Sequence, residues 1–303
     1  MNIQTIERKN KAIVIGILKE KKIEFKVSET GRQMAIGKLV IVCDTPLGKG
    51  EVEVKVMQMA DKKDGTPNSL YKGLQTVNNE YQEGTTIKVE GSLEDATYYS
   101  ANKGDFVEKR DIKATFINRV DKETPHCCKV EIEGLITSIK PVDNELEVEI
   151  TTLGYQGVAM PVVGVVPEHL TQAFQSKCQV GCTISLYIAI LKVVKTEEVK
   201  AEIGFGEGFG EIITKTITKN IIFGGGDIKY TGTTGAIDQE SIKQGLALRC
   251  ANLEDKKEKA IKKSSASSVS MATNFETGFG SVGGFNKSQG GFTVPTGFGG
   301  FPV

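Results

Sequence analysis

The sequence has no tryptophan and only two histidines, His126 and His169, in 303 residues. A histidine-based hydrolase or a His-rich metal site therefore has almost nothing to be built from. No Ser/His/Asp set, Walker motif or paired acidic motif is present either, so neither catalysis nor a cofactor is expected. Six cysteines in so long a chain do not make a disulfide framework and read as reduced thiols. His126-Cys127-Cys128 with Cys178-x-x-x-Cys182 comes nearest to structural zinc spacing. Adjacent Cys127 and Cys128 would point to opposite faces of a strand, so buried thiols without a metal are the expectation. No apolar run approaches the roughly 20 residues of a membrane helix. The opening MNIQTIERKNK lacks an apolar stretch followed by a small-residue cleavage site, and a cytoplasmic protein without membrane contact is expected. The 38 Lys and Arg balance 38 Asp and Glu, which excludes a uniformly basic coat for nucleic acid. Residues 1–122 lean mildly basic, with 21 cations against 18 anions, while 123–200 hold 6 against 10 and 201–303 hold 11 against 10.

What is present is mostly strand pattern. KAIVIGIL (11–18), QMAIGKLVIVCD (33–44) and the alternating EVEVKVMQM (51–59) read as three strands. NSLYKGLQTVNNEY (68–81) carries Leu70, Leu74 and Val77 at helical spacing behind an Asn/Ser start. TTIKVEGSL (85–93) and RDIKATFINRV (110–120) alternate again. The order is then repeated by strands at 127–140, 144–155 and 157–166, a proline-started helix at 167–177, and strands at 182–194 and 211–226. A helix follows over 238–263. The last forty residues, with Glu276 and Lys287 as their only charges, are too rich in Ser, Gly and Phe to pack a core and read as disordered.

Five strands with a helix between the third and fourth is the OB-fold layout. The expected class is all-β with minor helices: two tandem five-stranded OB-fold barrels, a C-terminal helix and a disordered tail. The expected boundaries are 1–122, 123–226, 227–263 and 264–303. OB-folds bind oligonucleotides or oligosaccharides over the strand 2–3 face and the loops joining strands 1–2 and 4–5. In the first repeat the strand 1–2 loop supplies Lys19, Lys21, Lys22, Phe25, Lys26 and Arg32, and the strand 4–5 loop supplies Tyr98, Tyr99, Lys103, Phe106, Lys109 and Arg110. Rings interleaved with cations suit a single-stranded nucleic acid, whose bases stack and whose phosphates need positive charge. Tyr98 and Tyr99 are neighbours on a strand, so one of the two rings can belong to the core. In the second repeat, KTEEVKAEIGFGEGFGEIITK offers Phe205 and Phe209 for stacking or for packing on their own barrel. Its glycines lack the Lys-Ser/Thr of a P-loop. Glu145, Glu147 and Glu149 mark a solvated face there that opposes DNA.

AIVIGILKEKKIEFKVSETGRQMAIGKLVIV, together with EGTTIKVEGSLEDATYY and its Val89-x-Gly91-x-Leu93 pattern, resembles single-stranded DNA-binding proteins of the bacterial and phage type over residues 10–120. The resemblance implies a non-enzymatic protein of replication, recombination or repair, here phage-like in carrying two copies, with single-stranded DNA as partner. Tyr and Phe would replace the tryptophans that family stacks on bases. The family's acidic tail closed by Pro-Phe recruits partner proteins; here the end is GFGGFPV without acids. Phe298, Phe301, Pro302 and Val303 are the corresponding candidates for holding replication or recombination proteins. The competing expectation is an OB-type protein-interaction module or accessory subunit. The sequence leaves the oligomeric state open.

Overall fold

The computed structural model describes residues 8–28, 30–200 and 210–273, the side chains of 194–200, 210–216 and 263–273 excepted. The first strands are β1 (Asn10–Val27), β2 (Gln33–Thr45) and β3 (Gly48–Met59), followed by helix α1 (Ser69–Glu80) and β4 (Thr86–Asp95). A small hairpin, β5 (Tyr98–Ser100) and β6 (Asp105–Val107), precedes β7 (Arg110–Arg119). Antiparallel pairing joins β1 to β2, β2 to β3, β4 to β7 and β1 to β4. A short parallel contact of β3 with β7 closes the barrel. The second half repeats the scheme with β8 (Cys127–Val142), β9 (Glu145–Leu153), β10 (Ala159–Val166), helix α2 (Glu168–Gln175), β11 (Thr183–Lys200) and β12 (Gly210–Lys229). Its closing contact, β10 with β12, is again parallel. The described residues are mostly β, with three α-helices and the OB strand order in each half.

The two barrels are joined edge to edge. Residues 10–15 of β1 pair with 127–132 of β8, and Lys192 of β11 pairs with Glu51 of β3. Inward residues such as Val14, Leu39, Val54 and Ile87 in one barrel, and Val130, Ile150 and Ile188 in the other, form one contiguous buried cluster. Burial of such side chains, at roughly 25 cal/mol per Å² of apolar surface, is the main force holding both halves.

Helix α1 begins at Asn68, whose side chain accepts the Leu70 N–H at 3.0 Å. It seals the base of the first barrel with Tyr71, Leu74 and Val77. Helix α3 (Gln239–Thr273) is capped by Asp238, which accepts from the Ser241 N–H at 2.7 Å. It runs ten residues past the end expected from sequence. Its Ile242 and Leu246 pack on Leu135 and Ile237. Gly245 lets it come close, since a Cβ there would lie 2.6 Å from the Gly157 carbonyl oxygen. No helix among the described residues is long and apolar enough to cross a membrane.

Two expectations need correction. The charged stretch 19–27 is strand rather than loop, because its alternation persists through the lysines and only residues 28–32 turn the chain. The strand 4–5 connection is likewise ordered as the hairpin β5–β6.

Candidate nucleic-acid interface

Strand register, more than loop composition, assembles the basic surface of the first barrel. Lys22 pairs with Lys38 across β1 and β2, Lys38 with Lys55 across β2 and β3, and Lys55 with Lys113 across β3 and β7. Their neighbours Leu39, Val54 and Ile112 are buried, so period-2 alternation turns all four lysines outward. They form one row perpendicular to the strands, spanning roughly 14 Å at about 4.8 Å per strand. Like charges directly opposite each other destabilise a sheet unless neighbouring acids offset them.

The next row on one side carries the compensating acids. Lys22 pairs with Glu20, Lys38 with Glu53 at 3.4 Å, and Lys55 with Asp111 at 2.7 Å. Lys113 pairs with Glu94 at 2.8 Å. At the middle of the row the acids lie beneath the cations. Glu53 and Asp111 side chains are 18% and 7% exposed, against 37% and 46% for Lys38 and Lys55. Solvent therefore meets ammonium groups first. On the other side of the row stand Ile36, Met57, Met34 and Met59, with Ile36 paired to Met57 and Met34 to Met59. Exposed cations beside an apolar strip supply charge for phosphates and a surface for bases.

Glu53 collects more than one partner. Lys192, from the second barrel, approaches to 3.1 Å and Lys109 to 3.6 Å, in addition to Lys38. Burial alone would push the Glu53 carboxyl up. The Lys192 hydrogen bond, with the charges of Lys192, Lys109 and Lys38, outweighs it and brings the carboxyl down to about 2. Lys109 also lies 3.1 Å from Asp111.

The residues singled out from sequence divide into several groups. Lys22 joins the lysine row. The side chains of Lys26 and Lys103 are exposed with no partner among the described residues, and Tyr98 is 50% exposed on the hairpin. Tyr99 faces the other way, its ring 5.5 Å from that of Phe106 in an edge contact and Lys257 of α3 at 5.8 Å above it. Phe25 packs edge-on against Tyr71 at 5.6 Å, on the side of α1. Lys19 is paired with Glu51. Lys21 donates to the Tyr81 carbonyl at 2.6 Å and to the Asn78 carbonyl, satisfying the open end of α1. Arg32 donates to the Asp61 carbonyl at 2.7 Å. Phe205, Phe209, Phe298, Phe301, Pro302 and Val303 lie outside the described residues.

Arg110 is bound internally. It meets Asp95 at 2.9 Å, Glu108 at 2.8 Å and the Pro161 carbonyl at 2.7 Å, and its side chain is 13% exposed. Arg249 of α3 grips the same two acids at 2.6 and 2.8 Å, and Lys256 donates to the Thr97 carbonyl at 3.1 Å. This cluster straps α3 and β10 to the base of the hairpin. Lys38, Lys55, Lys113 and Lys192 were missed from sequence, since only register brings them together.

No group of three metal-ligating side chains occurs among the described residues. His126 Nδ1 accepts the Asp44 N–H at 3.1 Å, and Cys178 and Cys182 are buried. Burial pushes the Cys128 thiol up to about 12, and the neighbouring Cys127 adds to the shift. Thiols so raised stay protonated and unreactive.

The sequence matches the family described as YorF over residues 9–259. No curated protein matches it. Among solved structures, a wild-type single-stranded DNA binding protein from Thermus aquaticus is similar, with a TM-score of 0.49 and 11% identity, over 78% of this chain and 98% of that one. A small single-stranded DNA-binding protein from Streptomyces coelicolor aligns with a TM-score of 0.25 and 13% identity, over 37% of this chain and 94% of that one. A Plasmodium falciparum SSB in complex with ssDNA aligns with a TM-score of 0.27 and 15% identity, over 40% of this chain and all of the other.

Proposed function

The chain belongs to the YorF family, and we propose that it is a non-enzymatic binder of single-stranded DNA. The observation that carries this reading is the lysine row Lys22–Lys38–Lys55–Lys113 on the strand 2–3 face of the first barrel. That is the face an OB-fold uses for oligonucleotides. The pairs at the two ends of the row, Lys22 with Glu20 and Lys113 with Glu94, are surface pairs individually worth only about 0–1 kcal/mol, so a phosphate replaces a carboxylate partner there at little cost. The apolar strip of Ile36, Met34, Met57 and Met59 lies beside the row for the bases, and Tyr98 stands exposed on the hairpin as a stacking platform.

Under this reading residues 1–122 make the main contact and the second barrel, 123–226, supports it. Coating of exposed single strands in replication, recombination or repair, of phage or host, is the role such a binder serves. The test is anisotropy of a labelled thymidine oligonucleotide with the full chain. Binding that weakens steeply with salt is expected. No binding at low salt would overturn the reading.

Recruitment of replication or recombination proteins through Phe298, Phe301, Pro302 and Val303 belongs to the same proposal. Removing residues 274–303 is expected to abolish capture of such a partner and to leave affinity for a short oligonucleotide unchanged. Lost oligonucleotide binding would contradict that division.

A further inference from the structure

The lysine row ends at β7, yet a further exposed cation stands beside it on the other barrel. Lys192 of β11 reaches across the seam to Glu53 of β3 and is 36% exposed, while the carboxylate beneath is 18% exposed. The approach is fixed by backbone. Lys192 pairs with Glu51, and Gly50 admits β11 so closely that a Cβ there would sit 3.0 Å from the Lys192 carbonyl oxygen. Lys38, Lys109 and Lys192 thus converge from β2, from the residue preceding β7 and from β11 on a single carboxylate.

Charge counting at this point is uneven. Lys38, Lys55, Lys109 and Lys192 face two acids, Glu53 and Asp111. Glu51 is paired with Lys19; Glu149, on the far wall of the cleft between the barrels, accepts only the neutral Thr137 hydroxyl at 2.6 Å and keeps its charge, which narrows the surplus to one cation. One further anion fits the surplus, and a phosphodiester, with a single negative charge over two non-bridging oxygens, can take the place of a carboxylate among these ammonium groups. A phosphodiester arriving from solvent meets the ammonium groups before it meets the acids.

We propose that the seam is a backbone-phosphate subsite shared by both barrels, in which Lys192 contacts a phosphate of the bound strand and Glu53 is the internal stand-in that phosphate displaces. The inference rests on the single-stranded DNA reading and extends it. The strand leaves the first barrel by crossing β3 toward β11, and a first barrel alone has an incomplete site. Glu53 lowers affinity in exchange for holding three lysines in place in the free protein.

The experiment uses the full chain and a labelled oligonucleotide of about 20 thymidines, titrated between about 50 and about 300 mM salt. Each phosphate contact on a single strand contributes about 0.7 to the salt slope, or about fourfold in affinity near 0.15 M salt. Lys192→Ala is expected to weaken binding about fourfold and reduce the slope by about 0.7. Glu53→Gln is expected to tighten binding by a similar factor, with circular dichroism unchanged. Lys140→Ala, on the outer face of β8 in the second barrel, is the control and should change neither. Lys55→Ala reports on the underlying reading. If Lys55→Ala weakens binding and Lys192→Ala does not, the shared seam is overturned and the single-strand reading stands. If Glu53→Gln weakens binding in a folded protein, Glu53 positions the lysines and does not compete. If the wild-type chain fails to bind, the reading beneath falls as well.

Discussion

The two barrels present different chemistry on equivalent faces. In the first, the outer positions of strands two and three pair Lys38 with Lys55 and Ile36 with Met57. In the second, the outer residues of the corresponding strands are Glu145, Glu147 and Glu149 on β9, and Pro161, Val163 and Val165 on β10, with Glu149 paired to Val163 and Glu147 to Val165. The inward residues of both are aliphatic and buried in one continuous core. Alternation separates the two tasks. Every second residue specifies the barrel and the intervening ones are free to differ. The two halves therefore share a strand order without sharing the chemistry of this outer face.

The largest effect expected from sharpening this contrast lies at the hairpin that decorates the first barrel. Tyr98→Ala should cost about 1–3 kcal/mol of binding, the worth of one stacked base, with an unchanged melting temperature. Tyr99→Ala should do the reverse. Its ring is held by Phe106 and overlain by Lys257, so the melting temperature should fall while the affinity of the folded protein changes less. Calorimetric melting and anisotropy on the same two variants separate these outcomes. Equal losses of stability with binding intact would make both rings structural.

A smaller effect is expected from giving the second barrel the charge of the first. Glu145→Lys with Glu147→Lys replaces two acids beside Lys140 and Val142 on the β8–β9 surface. If the strand passes near that face, two added phosphate contacts would tighten binding by about fifteenfold near 0.15 M salt. The account places the strand on the first barrel and at the seam, so the predicted gain is well below that, within about threefold. A full fifteenfold gain in anisotropy titrations would show that the second barrel's outer face is part of the path.

Much of the fold was legible from sequence because strand alternation and the Asn68-capped helix are local signals. The short parallel closures and the pairing of β1 with β8 were not, being contacts between residues over a hundred positions apart or set by a few backbone pairs. The site was less legible. Lys21 and Arg110 looked like loop cations, but their partners, the end of α1 and the pair Asp95 and Glu108, could not be read from neighbouring residues. Conversely Lys38, Lys55 and Lys113 sit singly in three ordinary strands. A one-residue slip of any of these strands would turn its lysine inward, so the row exists only once register is known. Tyr98 and Tyr99 were an intermediate case. Their opposite facing follows from adjacency on a strand, but which one faces out depended on Phe106 and α3.

The lysine row carries the account, and the salt dependence of its removal tests it most directly. Titrating the full chain and the Lys38→Ala/Lys55→Ala variant with a labelled thymidine oligonucleotide over a salt series yields two slopes of log affinity against log salt. The account predicts a slope shallower by about 1.4 for the variant and affinity lower by about fifteenfold near 0.15 M salt, in a protein that melts normally. Equal slopes and equal affinities for the two proteins would contradict it.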